Sequence, residues 1–266
     1  MNTKTIVSKD GTSIKYEESG NGPCLILIGD ALHSKTDHLM SILVALLKQN
    51  FTVIQYLRRR KVGGKIKSGQ VSDSEIADVA ALISEGGGSA YVFGMASGAA
   101  LALKASAAGL PILKLAIFKQ PFTSGLRNKE ANQFNIASLF RLLNIHDKGK
   151  SLKLLINIIG LPRSIIAILG LGLLWPAIKA LAPALAYDAL IISEDQTNES
   201  ELRADSGATI VLTGQSNVMK AAIEGFVQQL PKICHDIFNS QNHDVDPKVL
   251  GSTLHGIFSR ALVRQG

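Results

Sequence analysis

The chain has 266 residues, of which 46% are hydrophobic and 18% are charged, and its formal net charge is +7. This length suits one large α/β domain or two small ones, and it can bury a sizeable core. The compact basic run at residues 58–61 has no aromatic residues interleaved with it, which argues against a nucleic-acid partner. We interpret this run as a solvated loop, with an anionic substrate group or a membrane surface as the alternative contact.

The chain shows no sign of a metal site, a disulfide framework or a leader. Cys24 and Cys234 have neither metal-ligand nor disulfide spacing, so we interpret both as reduced core residues of an intracellular protein. No histidine spacing suggests a metal ligand, and no cofactor is predicted. The first residues lead into strand-like sequence without a signal peptide, so a cytoplasmic location is expected.

The first part of the chain alternates strand-like and helix-like segments. The turn signal Asp10-Gly11 lies between two alternating segments and predicts an opening β-hairpin. A helix is predicted with Ser72 as its N-cap and Glu75 three residues later, which together form a capping box. The predicted elements of this part are strands at 24–28 and 51–56 and helices at 38–48 and 72–84.

The stretch at residues 91–107 carries the strongest functional signal. Residues 91–93 are β-branched or aromatic and predict the end of a buried strand, and residues 99–107 are strong helix formers. Gly94 and Gly98 bracket the turn between these two elements. A strand, a Gly-x-x-x-Gly turn and a helix form the context of a nucleophile elbow, whose pattern Gly-x-Ser-x-Gly would place serine at position 96. This chain has Ala96 at that position.

After residue 125 the alternation of strands and helices stops. Residues 127–185 show several helical patterns, which predict a helical cap at 126–200 inserted between core segments 1–125 and 201–266. The fold class predicted is α/β, a mostly parallel central sheet with helices on both faces. The remaining predicted elements are strands at 113–118, 208–213 and 233–238 and helices at 219–229 and 247–262.

An apolar stretch at residues 152–174 lies inside the predicted cap. Pro162 and Arg163 divide it into pieces that are too short to span a bilayer. We interpret these pieces as two cap helices whose apolar faces line a pocket, so the expected partner is a small lipophilic molecule. Membrane contact by the cap is the less favoured interpretation, and the sequence is compatible with a monomer or a homodimer.

The chain matches the pattern of one protein family at residues 8–12, 51–53 with Arg58-Arg59, 88–94, 97–103, 113–116, 175–178, Tyr187-Asp188 and 243–247. Through these stretches it resembles, from end to end, the α/β-hydrolase fold family, particularly its small bacterial members. The resemblance implies acyl transfer, in which an elbow serine attacks a carbonyl and a histidine after the last strand relays the proton. Carried over residue by residue, the nucleophile position is Ala96, the histidine is His243, and the oxyanion donors are the backbone N–H groups of Ala31 and Ser97. The side chain of Ser97 is expected to cap or pack the start of the helix.

Several departures from the family pattern work against ester hydrolysis. Ala96 has no nucleophilic atom, and Gln215 stands where relatives often place their acid. Lys119 replaces a glutamate, and Leu57 replaces an aspartate. Asp30 replaces a glycine of the oxyanion loop, where a carboxylate would oppose a developing negative charge.

Three hypotheses are compatible with this pattern. In the first, covalent catalysis is lost and the pocket binds a ligand or performs non-hydrolytic acid–base chemistry with Asp30 and His243, as in a lyase, isomerase or cyclase. In the second, the protein is a serine hydrolase of small esters, amides or lactones, inactivated by a mutation at position 96. In the third, it is a non-catalytic interaction protein with a relict pocket. The acid that would orient His243 stays open among Asp188, Asp244 and Asp246.

Overall fold

A computed structural model describes residues 2–30, 38–59, 70–118, 188, 191, 209–213, 233–237 and 246–262. The predicted cap at 126–200 lies outside these residues except for Asp188 and Ile191, both of which are buried. The helix predicted at 219–229 also lies outside them. None of the helices within these described residues combines the length and the apolar character that a membrane span requires.

The described strands form one eight-stranded sheet with the order β1-β2-β4-β3-β5-β6-β7-β8. The strands are β1 Asn2–Val7, β2 Ser13–Ser19, β3 Cys24–Ile28, β4 Thr52–Tyr56, β5 Ala90–Met95, β6 Ile112–Phe118, β7 Thr209–Thr213 and β8 Ile233–Ile237. The β1–β2 and β2–β4 pairs are antiparallel, and all the other pairs are parallel. The predicted opening hairpin and the mostly parallel α/β sheet are therefore confirmed.

Four described helices cover the two faces of this sheet. They are α1 His38–Leu47, α2 Gln70–Glu85, α3 Ser97–Ala107 and α4 Pro247–Leu262. Helix α1 packs with α4, and α2 packs with α3. Alternate residues of a strand point to opposite faces, so Ile26 and Val92 join the core on the α2–α3 side, whereas Leu27 and Phe93 join the core on the α1–α4 side. Strands β3 and β5 are buried on both faces because they lie at the centre of the sheet.

The start of α2 differs from the predicted capping box. The helix begins at Gln70, so Ser72 lies inside it, where its hydroxyl accepts a hydrogen bond from Lys104 Nζ at 3.3 Å. The carboxylate of Glu75 binds Arg58. The capping box is wrong because both side chains face the core, where they meet cations from other elements.

Candidate active site

Ala96 alone forms the turn between β5 and α3. Its backbone angles are φ 53° and ψ −123°, and among the described residues it is the one non-glycine residue with a positive φ. Such a conformation costs an L-residue on the order of 1–3 kcal/mol. Its N–H donates to the carbonyl of Phe118 at 3.0 Å, and its carbonyl accepts from the N–H of Ala99 at 2.9 Å. This is the sharp strand-to-helix turn that characterises a nucleophile elbow.

Gly94 and Gly98 allow the elements around Ala96 to approach closely. A Cβ on Gly94 would lie 2.6 Å from the carbonyl oxygen of Gly98 and 2.7 Å from the Cα of Ala99. A Cβ on Gly98 would lie 2.2 Å from the carbonyl oxygen of Ile28 and 2.6 Å from that of Gly29. The atoms in the way belong to the backbone and cannot rotate aside. The two glycines are therefore needed for β5, α3 and the end of β3 to meet at the elbow.

Asp30 directly follows Gly29, whose carbonyl lies against Gly98 at the start of α3. Asp30 is half-buried. Ala31 and His243 lie outside the described residues, so their roles as oxyanion donor and proton relay stay predictions. Two further positions at which the chain departs from the family pattern, Lys119 and Gln215, also lie outside them.

The side chain of Ser97 does not cap α3. The N-cap position is Ala96, and no side chain makes a capping hydrogen bond there. The Ser97 hydroxyl, on a residue that is 2% exposed, accepts a hydrogen bond from Arg58 Nη1 at 2.8 Å. The backbone N–H of Ser97 belongs to the first turn of α3, where N–H groups have no partner within the helix.

Arg58 is the centre of a buried ion-pair cluster beside the elbow. Its Nε donates to Glu75 Oε2 at 2.6 Å and its Nη2 to Glu75 Oε1 at 3.1 Å. Its Nη1 donates to Ser97, to the Gly29 carbonyl at 3.2 Å and to Asp188 Oδ1 at 3.0 Å. The prediction of a solvated loop is wrong for Arg58, because its side chain is 2% exposed and is held by two buried carboxylates.

The same prediction is wrong for Arg59. Its Nε donates to Asp78 Oδ2 at 2.7 Å, its Nη2 donates to Asp78 Oδ1, and its Nη1 donates to Asp10 Oδ2 at 2.6 Å. Arg59 thus joins the turn of the opening hairpin to α2. Its hydrogen bond holds the pKa of the Asp10 carboxyl well below the usual range. Glu75 and Asp78 are three residues apart on α2, a spacing that could have indicated two carboxylates on one helix face opposite Arg58 and Arg59.

The buried position determines the electrostatics of the Arg58 cluster. Burial raises the pKa of the Glu75 carboxyl, and the attraction of Arg58 opposes that rise. Burial acts to lower the pKa of Arg58, but the carboxylates of Glu75 and Asp188 outweigh it and raise this pKa. Arg58 therefore stays cationic, since its partners stabilise the charged form.

Two of the three candidate acids for His243 have other partners in the described part of the chain. Asp188 binds Arg58, as described above. Asp246 is exposed at the start of α4, where its Oδ1 accepts from the N–H of Lys248 at 2.8 Å, which is an N-cap contact. Asp244 lies outside the described residues. Within those residues, no group of three or more histidine, cysteine or acidic side chains is arranged to hold a metal ion.

Several solved structures share this fold along almost the whole chain. An α/β hydrolase from Sphaerobacter thermophilus has a TM-score of 0.76 and 31% identity, covering 96% of this chain and 100% of its own. An esterase from a Rhodococcus species has a TM-score of 0.62 at 20% identity, covering 97% of this chain and 99% of its own. A haloalkane dehalogenase variant from Bradyrhizobium elkanii has a TM-score of 0.64 at 14% identity, covering 99% of this chain and 98% of its own.

No protein-family model and no curated protein matches the chain. The two structures below 25% identity show the fold alone. The Sphaerobacter hydrolase is similar in sequence as well, at 31% identity over 96% of this chain. From this relative and from the elbow geometry at Ala96, we conclude that the chain belongs to the α/β-hydrolase family.

Proposed function

We propose that this protein binds a small lipophilic carbonyl compound above Ala96 and does not hydrolyse it through a serine-bound intermediate. The observation that carries the proposal is the methyl group at the apex of an otherwise complete elbow. An acyl-enzyme requires a nucleophilic atom on the apex residue, and alanine has none. The strained turn and the close contacts of Gly94 and Gly98 are retained, so the backbone that would position a ligand carbonyl is retained as well.

Ser97 does not replace the missing nucleophile. Its hydroxyl is buried and accepts the hydrogen bond of a cation, Arg58, at 2.8 Å. This contact occupies a lone pair of the hydroxyl oxygen and keeps the buried side chain inside the Arg58 cluster. We therefore assign no nucleophilic role to Ser97.

The lipophilic character of the ligand is inferred from the apolar stretch at 152–174, which lies outside the described residues. Pockets that bury small molecules are lined mainly by apolar side chains, with a few polar groups that orient the ligand. The backbone N–H groups at the start of α3 supply such polar groups for a carbonyl oxygen.

Binding and turnover are tested with two probes that share one acyl group. Butyranilide is a stable amide for equilibrium binding, and p-nitrophenyl butyrate is an activated ester for turnover. We expect the native chain to bind butyranilide and to leave the ester intact. Ala96→Leu, which enlarges the side chain at the proposed binding point, should weaken butyranilide binding by about tenfold or more. Ester turnover by the native chain, or undiminished binding by Ala96→Leu, would overturn the proposal.

Ala96→Ser separates the proposal from the two alternatives. Losing a triad member lowers kcat by about 10⁴ to 10⁶, so a gain of that order would favour a serine hydrolase inactivated at position 96. A small gain, with binding retained, agrees with a site whose other changes have dismantled hydrolysis. A native chain that neither binds butyranilide nor turns over the ester, even after Ala96→Ser, would instead favour the interaction protein with a relict pocket.

Non-hydrolytic acid–base chemistry is a second candidate function, favoured by the position of Asp30. Asp30 is half-buried and directly follows Gly29, whose carbonyl lies against Gly98 at the elbow. A carboxylate placed there can remove a proton next to a ligand carbonyl without a covalent step. The test is solvent deuterium exchange at the α-carbon of a short-chain ketone, followed by NMR. Exchange that requires the native chain and is lost in Asp30→Asn supports this chemistry, and an equal rate in both proteins excludes it.

A further inference from the structure

One nitrogen of Arg58 connects the two chain segments that meet at the elbow. Nη1 donates to Ser97 Oγ at 2.8 Å and to the carbonyl oxygen of Gly29 at 3.2 Å. Ser97 directly follows Ala96, the residue at the apex of the elbow. Gly29 directly follows β3, and its carbonyl lies against Gly98 of α3. The position of the apex relative to β3 therefore depends on where this nitrogen is held.

Glu75 holds the guanidinium group in one orientation. Two parallel hydrogen bonds, Nε to Oε2 at 2.6 Å and Nη2 to Oε1 at 3.1 Å, form a bidentate pair. Such a pair fixes the plane of the guanidinium group, so the direction of Nη1 is fixed as well. Since α2 carries Glu75, the helix acts as the support from which Arg58 reaches the elbow.

Asp188 provides the third acceptor of Nη1 and the second negative charge of the cluster. Its Oδ1 lies 3.0 Å from Nη1, and its side chain is buried. Removing one partner of a buried cation strongly destabilises the folded protein, because water cannot replace the lost partner. The contacts of Arg58 with Glu75, Asp188 and Ser97 are therefore expected to depend on one another.

We propose that Arg58 is a positioning residue of this site: Glu75 and Asp188 hold its guanidinium, which holds Ser97 and Gly29 together and so sets the apex at Ala96. The proposal rests on the proposed function only in taking this apex as the point of ligand binding. It assigns no chemical step to Arg58. The expected consequence of weakening the contact is local loosening on both sides of the elbow.

Ser97→Ala tests this role with a matched control in the same helix. Ser97 and Ser106 are both buried in α3, and Ser106 Oγ has no hydrogen-bond partner among the described residues. Hydrogen exchange followed by mass spectrometry is measured on peptides that cover residues 24–30 and 92–99. Ser97→Ala should raise amide exchange in both peptides by about tenfold, as expected for a lost hydrogen bond to a charged group. Ser106→Ala should leave both within about twofold of native.

The result that would overturn the proposal is unchanged exchange in Ser97→Ala, or a rise that is spread evenly over the whole sheet. Arg58→Lys gives a second measurement, since lysine keeps the charge but cannot form the bidentate pair with Glu75. Arg58→Lys should raise amide exchange in the same two peptides. Exchange equal to native in both would contradict the role of the bidentate pair between Arg58 and Glu75.

Butyranilide binding separates this proposal from the proposed function. If the native chain binds the probe, Ser97→Ala should weaken binding by about fivefold to tenfold, whereas Ser106→Ala should not change it. Equal binding by the two variants would overturn the positioning role. If the native chain does not bind the probe, the proposed function fails, and the exchange experiment still decides whether Arg58 positions the elbow.

Discussion

Gly98 and Ile28 are in such close contact that no side chain fits between the start of α3 and the end of β3. A Cβ on Gly98 would lie 2.2 Å from the carbonyl oxygen of Ile28. Ile28 is fully buried in a central strand, so its carbonyl has nowhere to move. This contact sets how far Ala96 stands above the sheet.

Gly98→Ala should therefore lower the free energy of unfolding by about 3 kcal/mol, since the added methyl group overlaps backbone atoms. The matched control is Gly256→Ala in α4, where an added Cβ meets nothing within 4 Å. That variant should be neutral or should stabilise by up to about 1 kcal/mol, because alanine favours a helix over glycine. Urea denaturation measures both, and equal effects would show that the Gly98 contact is not restrictive.

Ala96→Gly should leave stability unchanged or raise it by about 1 kcal/mol. Glycine relieves strain on the order of 1–3 kcal/mol at φ 53°, and its greater freedom in the unfolded chain offsets part of that gain. Ala99→Gly, three residues later inside α3, should instead lower stability by about 1 kcal/mol or more, since Ala99 is fully buried in an ordinary helix. Thermal unfolding of the two variants compares them. A loss of stability in Ala96→Gly as large as that in Ala99→Gly would argue against strain at the apex.

Glu75→Gln should lower the free energy of unfolding by about 3 kcal/mol or more. It removes one of the two carboxylates that Arg58 binds and leaves the buried cation short of negative charge. Glu85→Gln in the same helix is the control, because Glu85 is exposed and accepts one hydrogen bond from the Tyr16 hydroxyl at 2.8 Å. That control should cost less than about 1 kcal/mol. Chemical denaturation measures the free energy of unfolding of both variants. Equal losses would show that the buried pair between Arg58 and Glu75 contributes no more than the exposed contact of Glu85.

The elements of the sheet were predictable because their signals are local. The apolar run at 24–28 is strand β3, and the closing helix has its predicted bounds at Pro247–Leu262. The elbow was predictable from the spacing of Gly94 and Gly98, since glycine is required wherever backbones approach this closely.

The ion-pair cluster was not predictable in the same way. Arg58 meets Glu75 across 17 residues and Asp188 across 130, and a buried pair has the same residue types as a solvated one. The local pattern of Ser72 and Glu75 pointed to a helix cap, but Arg58, just after β4, binds Glu75, and Lys104 of α3 binds Ser72. Tertiary contacts of this kind override local preference.

Cys24 should be nearly inert towards alkylation in the folded protein. The residue is 5% exposed, and burial raises the pKa of its thiol to about 11. The reactive species is the thiolate, and its fraction falls about tenfold for each pH unit below the pKa. At a pH of about 8, iodoacetamide should therefore modify Cys24 at least about 100-fold more slowly in the native chain than in guanidinium chloride. Mass spectrometry of the Cys24 peptide measures both rates, and comparable rates would show that the thiol is reactive in the folded state.

Asp30→Asn should raise any ester hydrolysis that Ala96→Ser acquires. A carboxylate beside the elbow opposes the negative charge that develops on the carbonyl oxygen, whereas the amide of asparagine has the same shape without the charge. In the Ala96→Ser background we expect kcat/KM for p-nitrophenyl butyrate to rise by about tenfold. Asp73→Asn, at an exposed position in the first turn of α2, is the matched loss of charge and should leave the rate unchanged. A rate that does not respond to Asp30→Asn would mean that this carboxylate does not face the oxyanion position, and the non-hydrolytic chemistry proposed for it would lose its basis.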